Sequence, residues 1–208
     1  SPCYILTNLH LTVDESGNEN SRFSFYIGAS DKSDFRSEID AQVVERGNGH
    51  GTSEDFAVLR LNQCVGDKYG FVKILNWEMK MIYKIYEKHV AIKMAGYPGT
   101  EYWNEMSLDE DCVISGMHTF DTSAFAHNCS SVRQSSGSPI FIEKIDTHQI
   151  YVFAMHSGAT PAPNISSGDA QFYGTHMAKD PQYFNRAVPM YAIYERIKKY
   201  LPEDADAK

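Results

Sequence analysis

The chain lacks any apolar run approaching the roughly 18 residues that a membrane-spanning helix needs, so no membrane span is expected. Collagen-like, heptad and low-complexity tracts are missing, and no segment repeats at a solenoid period. Fibrous, coiled-coil and repeat architectures are therefore excluded. Positive charge is in deficit: 19 Lys and Arg against 27 Asp and Glu leave a net charge of −8 over 208 residues. Such a chain meets like-charge repulsion at a phosphate backbone, so nucleic acid is not an expected partner. Cysteine is scarce. Cys3, Cys64, Cys112 and Cys129 contain no CxxC pair, which argues against a zinc knuckle or a thioredoxin-type dithiol. Four cysteines fit either two disulfides or buried free thiols, and both readings stay open. The first ten residues, SPCYILTNLH, have neither a basic region nor a long apolar region and do not read as a signal peptide.

What the chain does have is aromatic residues, 11 Phe and 13 Tyr, enough for a packed core. Most of it reads as short strands between polar turns: YILTNL (4–9), FSFYIG (23–28), DAQVVERG (40–47), DFAVLRL (55–61), VAIKMAGYPG (90–99), CVISGMHTF (112–120), SPIFIEK (138–144) and IYVFAMHSG (150–158). DESGNEN (14–20), the glycine-rich GNGHGTSE (47–54) and NISSGDA (164–170) read as loops. Two stretches favour helix, weakly at 78–88 and more strongly at 190–201, where Ala192, Ile193, Ile197 and Leu201 share a face and Lys198 and Lys199 suit the last turn. The fold class is therefore all-β, a barrel or sandwich with one C-terminal helix.

Three segments carry chemistry together. QSSGSP (134–139) is a small-residue turn before a strand, able to present the Ser136 hydroxyl beside converging backbone N–H groups, as acyl transfer requires. ILTNLH (5–10) puts His10 directly after an apolar strand. In SEDFAVLRL (53–61), Asp55 opens an otherwise apolar strand, a costly place for a carboxylate unless it accepts hydrogen bonds, and an imidazole N–H is a suitable donor. Ser136 would attack, His10 would take its proton, and Asp55 would orient His10.

The order and context of LTNLH, DFAVLRL and QSSGSP resemble the trypsin-like (chymotrypsin-fold) serine endopeptidases, nearest to the V8-like glutamyl endopeptidase branch. MAGYPG (94–99), SPIFIEK, FAMHSG (153–158) and NRAVPMYAIYERIKKYL (185–201) resemble further segments of that family in the same order, so the likeness runs from His10 to about Leu201. The resemblance implies two consecutive six-stranded-type β-barrels: residues 1–75 with His10 and Asp55, residues 76–189 with Ser136, then a C-terminal helix and tail over 190–208. It implies a serine endopeptidase with protein or peptide substrates, no cofactor, no metal, and a secreted or extracellular location. The six other histidines show no paired spacing of their own, which agrees with the absence of a metal site.

Two departures from the family pattern stand out. Gln134 replaces a glycine whose N–H, with that of Ser136, forms the oxyanion hole, and a side chain there resists a glycine-type conformation. The chain also begins nine residues before His10, where family members carry more first-barrel strands; three sources stay open for them, a separate chain or N-terminal segment completing the first barrel, a cleaved segment, or residues outside this sequence. The resemblance assigns the S1 pocket to Ser131 and His156, and implies cleavage after Glu, with Gln and Asp as lesser options. On this expectation the Ser131 hydroxyl and the His156 imidazole both donate to the substrate, and an imidazolium adds charge complementarity. His127, near the loop before Ser136, is expected at the surface. A protease-like binding module without catalysis, and an esterase using the same three side chains, are the alternative readings.

Overall fold

Alternation builds the first sheet. In β2 (Arg22–Ile27) Phe23, Phe25 and Ile27 turn inward while Arg22, Ser24 and Tyr26 face solvent. β2 pairs antiparallel with β3 (Ser37–Arg46), β3 with β4 (Ala57–Leu61), and β4 with β1 (Tyr4–Thr7), giving the order β1-β4-β3-β2. The computed structural model describes residues 1–14, 16–28, 37–49, 52–97, 106–117, 124–131, 134–159 and 185–202. The expected loop at 164–170 lies outside these residues.

β4 is buried on both faces, as its near-continuous apolar sequence requires. Ala57, Leu59 and Leu61 join Ile39 and Ala41 in the core of the first sheet. Phe56 and Val58 point the other way, into a second core with Phe141, Val152, Met155, Val188 and Ile193. That second core lies between the two sheets and the C-terminal helix, so burying it fixes the sheets against each other.

The second sheet follows the order β7-β6-β10-β11-β12-β9-β8, with β6 Ile92–Gly96, β7 Ser107–Cys112, β8 Ile114–Met117, β9 Phe125–His127, β10 Pro139–Lys144, β11 Gln149–Ala159 and β12 Asn185–Pro189. Its two ends, β7 and β8, are one bent strand interrupted only at Val113. The Val113 N–H donates to the Asn128 side chain at 2.6 Å and the Asn128 N–H donates to the Val113 carbonyl at 3.1 Å. The sheet thereby curls back on itself, six strands around if β7 and β8 are counted as one. Its interior holds Ile92, Met94, Ile114, Phe125, Ile140, Phe153 and Ala187, capped by Ile82 and Ile85 of the helix Met79–Glu87 (α2), which follows the single turn Gly66–Tyr69 (α1).

The fold is mostly β, with two curled sheets and the short C-terminal helix Met190–Ile197 (α3), extended by a 3-10 turn to Tyr200. The strand inventory differs from the expected six per barrel: among the described residues the first sheet has four strands. β5 (Lys73–Ile74), on the first-barrel side of the boundary drawn at residue 75, pairs in parallel with β11 and belongs to the second sheet. All four cysteines are disulfide-bonded, Cys3 to Cys64 and Cys112 to Cys129, which decides between the two readings the sequence left open. Among the described residues no helix is long and apolar enough to cross a membrane.

Candidate active site

β1 stops at Thr7, and Leu9–Thr12 tighten into a 3-10 turn that carries His10. Asp55 sits in the tight segment entering β4, with its N–H on the Thr52 carbonyl and its own carbonyl accepting the Asn8 amide at 2.9 Å. Pairing of β1 with β4 brings these two segments side by side. The Asp55 side chain is 0 % exposed, and both its oxygens meet His10: Oδ1 accepts the His10 backbone N–H at 3.1 Å, and Oδ2 lies 2.9 Å from Nδ1. A carboxylate only accepts, so Nδ1 carries the hydrogen and Nε2 is the nitrogen able to take up a proton. The buried charge is thus compensated by two donors from one residue.

Ser136 lies on the loop before β10. The Ser138 N–H donates to the Ser135 carbonyl at 3.1 Å, and Gly137 has φ of 88°, the positive value a type II turn needs at its third position. Ser136 is the second residue of that turn and is half-buried. His156 on β11 staples the turn from both sides: its carbonyl accepts the Gly137 N–H and its N–H donates to Ser138, each at 2.9 Å. Gly137 faces the first sheet, where a Cβ would meet Thr7 Oγ1 at 3.0 Å and Leu11 Cδ1 at 3.7 Å. The serine turn is therefore docked against the two ends of the segment that bears His10. Among the described residues no hydrogen bond joins the Ser136 hydroxyl to His10, or any protein group to the N–H of Gln134 or of Ser136. Gln134 adopts φ of 74°, a glycine-type conformation that costs a side-chain-bearing residue roughly 1–2 kcal/mol.

Ser131 and His156 belong to one buried polar cluster. Ser131 donates to Asn185 Oδ1 at 2.7 Å, and Asn185 Nδ2 donates to the Cys129 carbonyl at 2.5 Å. The Cys129 N–H donates to His127 Nδ1 at 3.2 Å, and His127 Nε2 lies 3.1 Å from His156 Nδ1. Two expectations are corrected here. His127 is fully buried rather than at the surface, because it alternates inward on β9 with Phe125. His156 is a neutral ring rather than an imidazolium: burial, then the charges of Arg186 and His10, push its pKa down to about 3. Burial and the neighbouring His156 also hold His127 well below the ordinary histidine range.

No protein-family model matches this chain, and a search of curated proteins returns no match. The arrangement consists of an oriented imidazole on a buried carboxylate, a serine on a turn docked against the same segment, and a neutral histidine cluster behind that turn. Sequence reading weighed substrate contact for His127 but favoured the surface, and it did not single out Asn185. The available signal was their placement, since His127 stands four residues before Ser131 and Asn185 opens the segment NRAVP. Among the described residues no group of three or more His, Cys, Asp or Glu side chains could hold a metal ion.

Proposed function

We propose that the protein is a serine endopeptidase of the trypsin-like type, built on two β-barrels and nearest to the V8-like branch. It cleaves after a residue bearing a side-chain carbonyl oxygen, one of Glu, Gln and Asp. The observation that carries this reading is the His10–Asp55 pair, with both carboxylate oxygens committed to His10, beside a serine turn packed on the same segment. Ser136 Oγ adds to the scissile carbonyl while His10 Nε2 takes its proton. Asp55 holds the tautomer and stabilises the imidazolium that forms. The N–H groups of Gln134 and Ser136, which have no acceptor among the described residues, are the donors for the developing oxyanion. His10 then passes its proton to the leaving amine, and a water activated by the same ring hydrolyses the acyl-enzyme. The scheme uses no cofactor. The two disulfides suit an oxidising compartment, and we place the protein outside the cell.

A fluorophosphonate probe tests the nucleophile. Labelling at Ser136, lost in Ser136→Ala, supports the enzyme, whereas no labelling favours the alternative of a protease-like binding module, which the missing Ser136–His10 hydrogen bond would suit. Matched ester and peptide substrates separate the endopeptidase from an esterase. In His156→Ala the P1 preference should weaken while labelling of Ser136 persists, and an unchanged preference refutes the S1 assignment.

A further inference from the structure

Four hydrogen bonds behind His156 run one way, beside a further bond between the His127 ring and the Arg186 backbone. Ser131 donates to Asn185, Asn185 to the Cys129 carbonyl, the Cys129 N–H to His127 Nδ1, and His127 Nε2–H to His156 Nδ1. The backbone of Cys129 fixes both halves of this series. Its carbonyl can only accept, so Asn185 must turn its amide nitrogen toward it and its oxygen toward Ser131. Its N–H can only donate, so His127 must be unprotonated at Nδ1 and protonated at Nε2. A neutral imidazole has one donor and one acceptor, so His156, accepting at Nδ1, carries its hydrogen on Nε2. That nitrogen has no hydrogen-bond partner among the described residues. The series thus ends in one uncommitted donor, His156 Nε2–H, and begins with a hydroxyl, Ser131, whose hydrogen is already used and whose lone pairs remain.

We propose that this series selects a neutral carboxamide at P1, so that the preferred substrate is a glutaminyl rather than a glutamyl peptide. The inference rests on the endopeptidase reading above and orders the three P1 residues that reading allows. A carboxamide presents its oxygen to His156 Nε2–H and its NH2 group to the Ser131 oxygen. A carboxylate satisfies His156 with one oxygen but sets its other oxygen against the Ser131 lone pairs. Ser131 cannot reverse its hydrogen without leaving the Asn185 oxygen buried and unpaired, and Asn185 cannot flip without opposing two carbonyl oxygens. All four side chains are almost completely buried, Ser131 being the most exposed at 6 %, so water does not relieve the mismatch. His156 is itself neutral, so the positive field a carboxylate meets there comes only from Arg186 and His10 at longer range. The cation nearby, Arg186, alternates to the opposite face of β12 from Asn185 and Ala187, and gives its Nε and Nη2 hydrogens to the hydroxyl and carbonyl of Ser157 at 3.0 and 3.3 Å.

The test is one peptide synthesised with Gln, Glu, Asp or Ala at P1, cleaved by the full chain at neutral pH and compared by kcat/KM. Gln should exceed Glu at least tenfold, because a site built on fixed donors and acceptors rejects the mismatched group strongly. Ser131→Ala removes the acceptor and should shrink the Gln-to-Glu ratio about tenfold through lost Gln cleavage. Asn185→Ala frees the Ser131 hydrogen and should shrink it through gained Glu cleavage. Should Asn185→Ala fail to fold, the milder Ser131→Ala decides. Glu at or above Gln in the wild type, or an unchanged ratio in Ser131→Ala, overturns the inference while leaving an endopeptidase. Absence of all cleavage and of Ser136 labelling overturns the endopeptidase reading and this substrate with it. Nitrogen NMR of the histidine rings reports the polarity of the series independently of activity: hydrogen on Nε2 of both His127 and His156 is expected, and hydrogen on Nδ1 of either ring overturns the argument.

Discussion

Lowering the pH from 7.5 to 5 should destabilise this protein by up to about 4 kcal/mol through two side chains, His127 and His156. Both are buried, and burial first of all holds each below the ordinary histidine value. The unfolded chain releases them to a pKa of about 6.5. Below that value the unfolded state binds protons that the native state refuses, so stability falls as the pH falls. Each ring contributes up to about 1.36 kcal/mol per pH unit, or about 2 kcal/mol at pH 5, provided only that it stays neutral in the folded protein. For His156 the loss continues toward about pH 3, where the folded ring finally protonates. Carboxylates held low by their partners, such as Glu45 beside Arg196 and Glu143 beside Lys93, follow the opposite pattern. Their contribution is complete above the unfolded carboxylate value of about 4.3 and disappears only below it, so it does not enter this window. The assay is urea denaturation at several pH values between 7.5 and 5, in the wild type and in a variant combining His127→Gln with His156→Gln. The wild-type midpoint should fall steeply across the window and the variant's should fall far less. A flat wild-type curve, or equal slopes in the two proteins, refutes the reasoning.

Four further outcomes are expected. Asp55→Asn should lower kcat by about 10⁴-fold in a chromogenic peptide assay, the effect of losing the correct imidazole tautomer in a serine triad. Gln134→Gly should raise stability by up to about 1 kcal/mol in urea denaturation, since glycine takes the positive φ without strain, and should raise kcat more than it changes KM. Arg196 bonds Glu54 at 2.8 Å, Glu45 at 2.5 Å and the Arg46 carbonyl, and lies over the Phe56 ring, so it braces both neighbours of Asp55 from α3. Arg196→Gln should therefore cost about 1 kcal/mol, because the pair is partly solvated, and should reduce kcat with KM little changed; a fall in KM-dependent terms alone would count against the brace. Replacing Cys3 and Cys64, 61 residues apart, by Ser should cost about 4 kcal/mol in urea denaturation, and replacing Cys112 and Cys129, 17 residues apart, about 3 kcal/mol.

The local pattern was legible where side-chain periodicity is strong. β4 reads from its apolar run and α3 from its 3.6-residue face, and both lie close to where the sequence puts them. β7, with its acidic SLDEDC, and the three-residue β9 were not legible. Their alternation is weak, and what holds them is pairing with β6 and β12. Cysteine spacing could not choose between thiols and disulfides, because the choice depends on distances between segments far apart in the chain.

By itself, the sequence determined the short strands, the terminal helix, the charge balance and the three segments able to supply a base, a carboxylate and a hydroxyl, since these follow from residue type and nearest neighbours along the chain. Only the tertiary structure decided that His10 meets both oxygens of Asp55, that His127 turns inward to His156, and that Ser131 gives its hydrogen to Asn185. Hydrogen-bond direction and the protonation of a buried ring depend on which groups from distant segments are brought into contact and on how much water they exclude. Neither quantity is defined until the two sheets have packed.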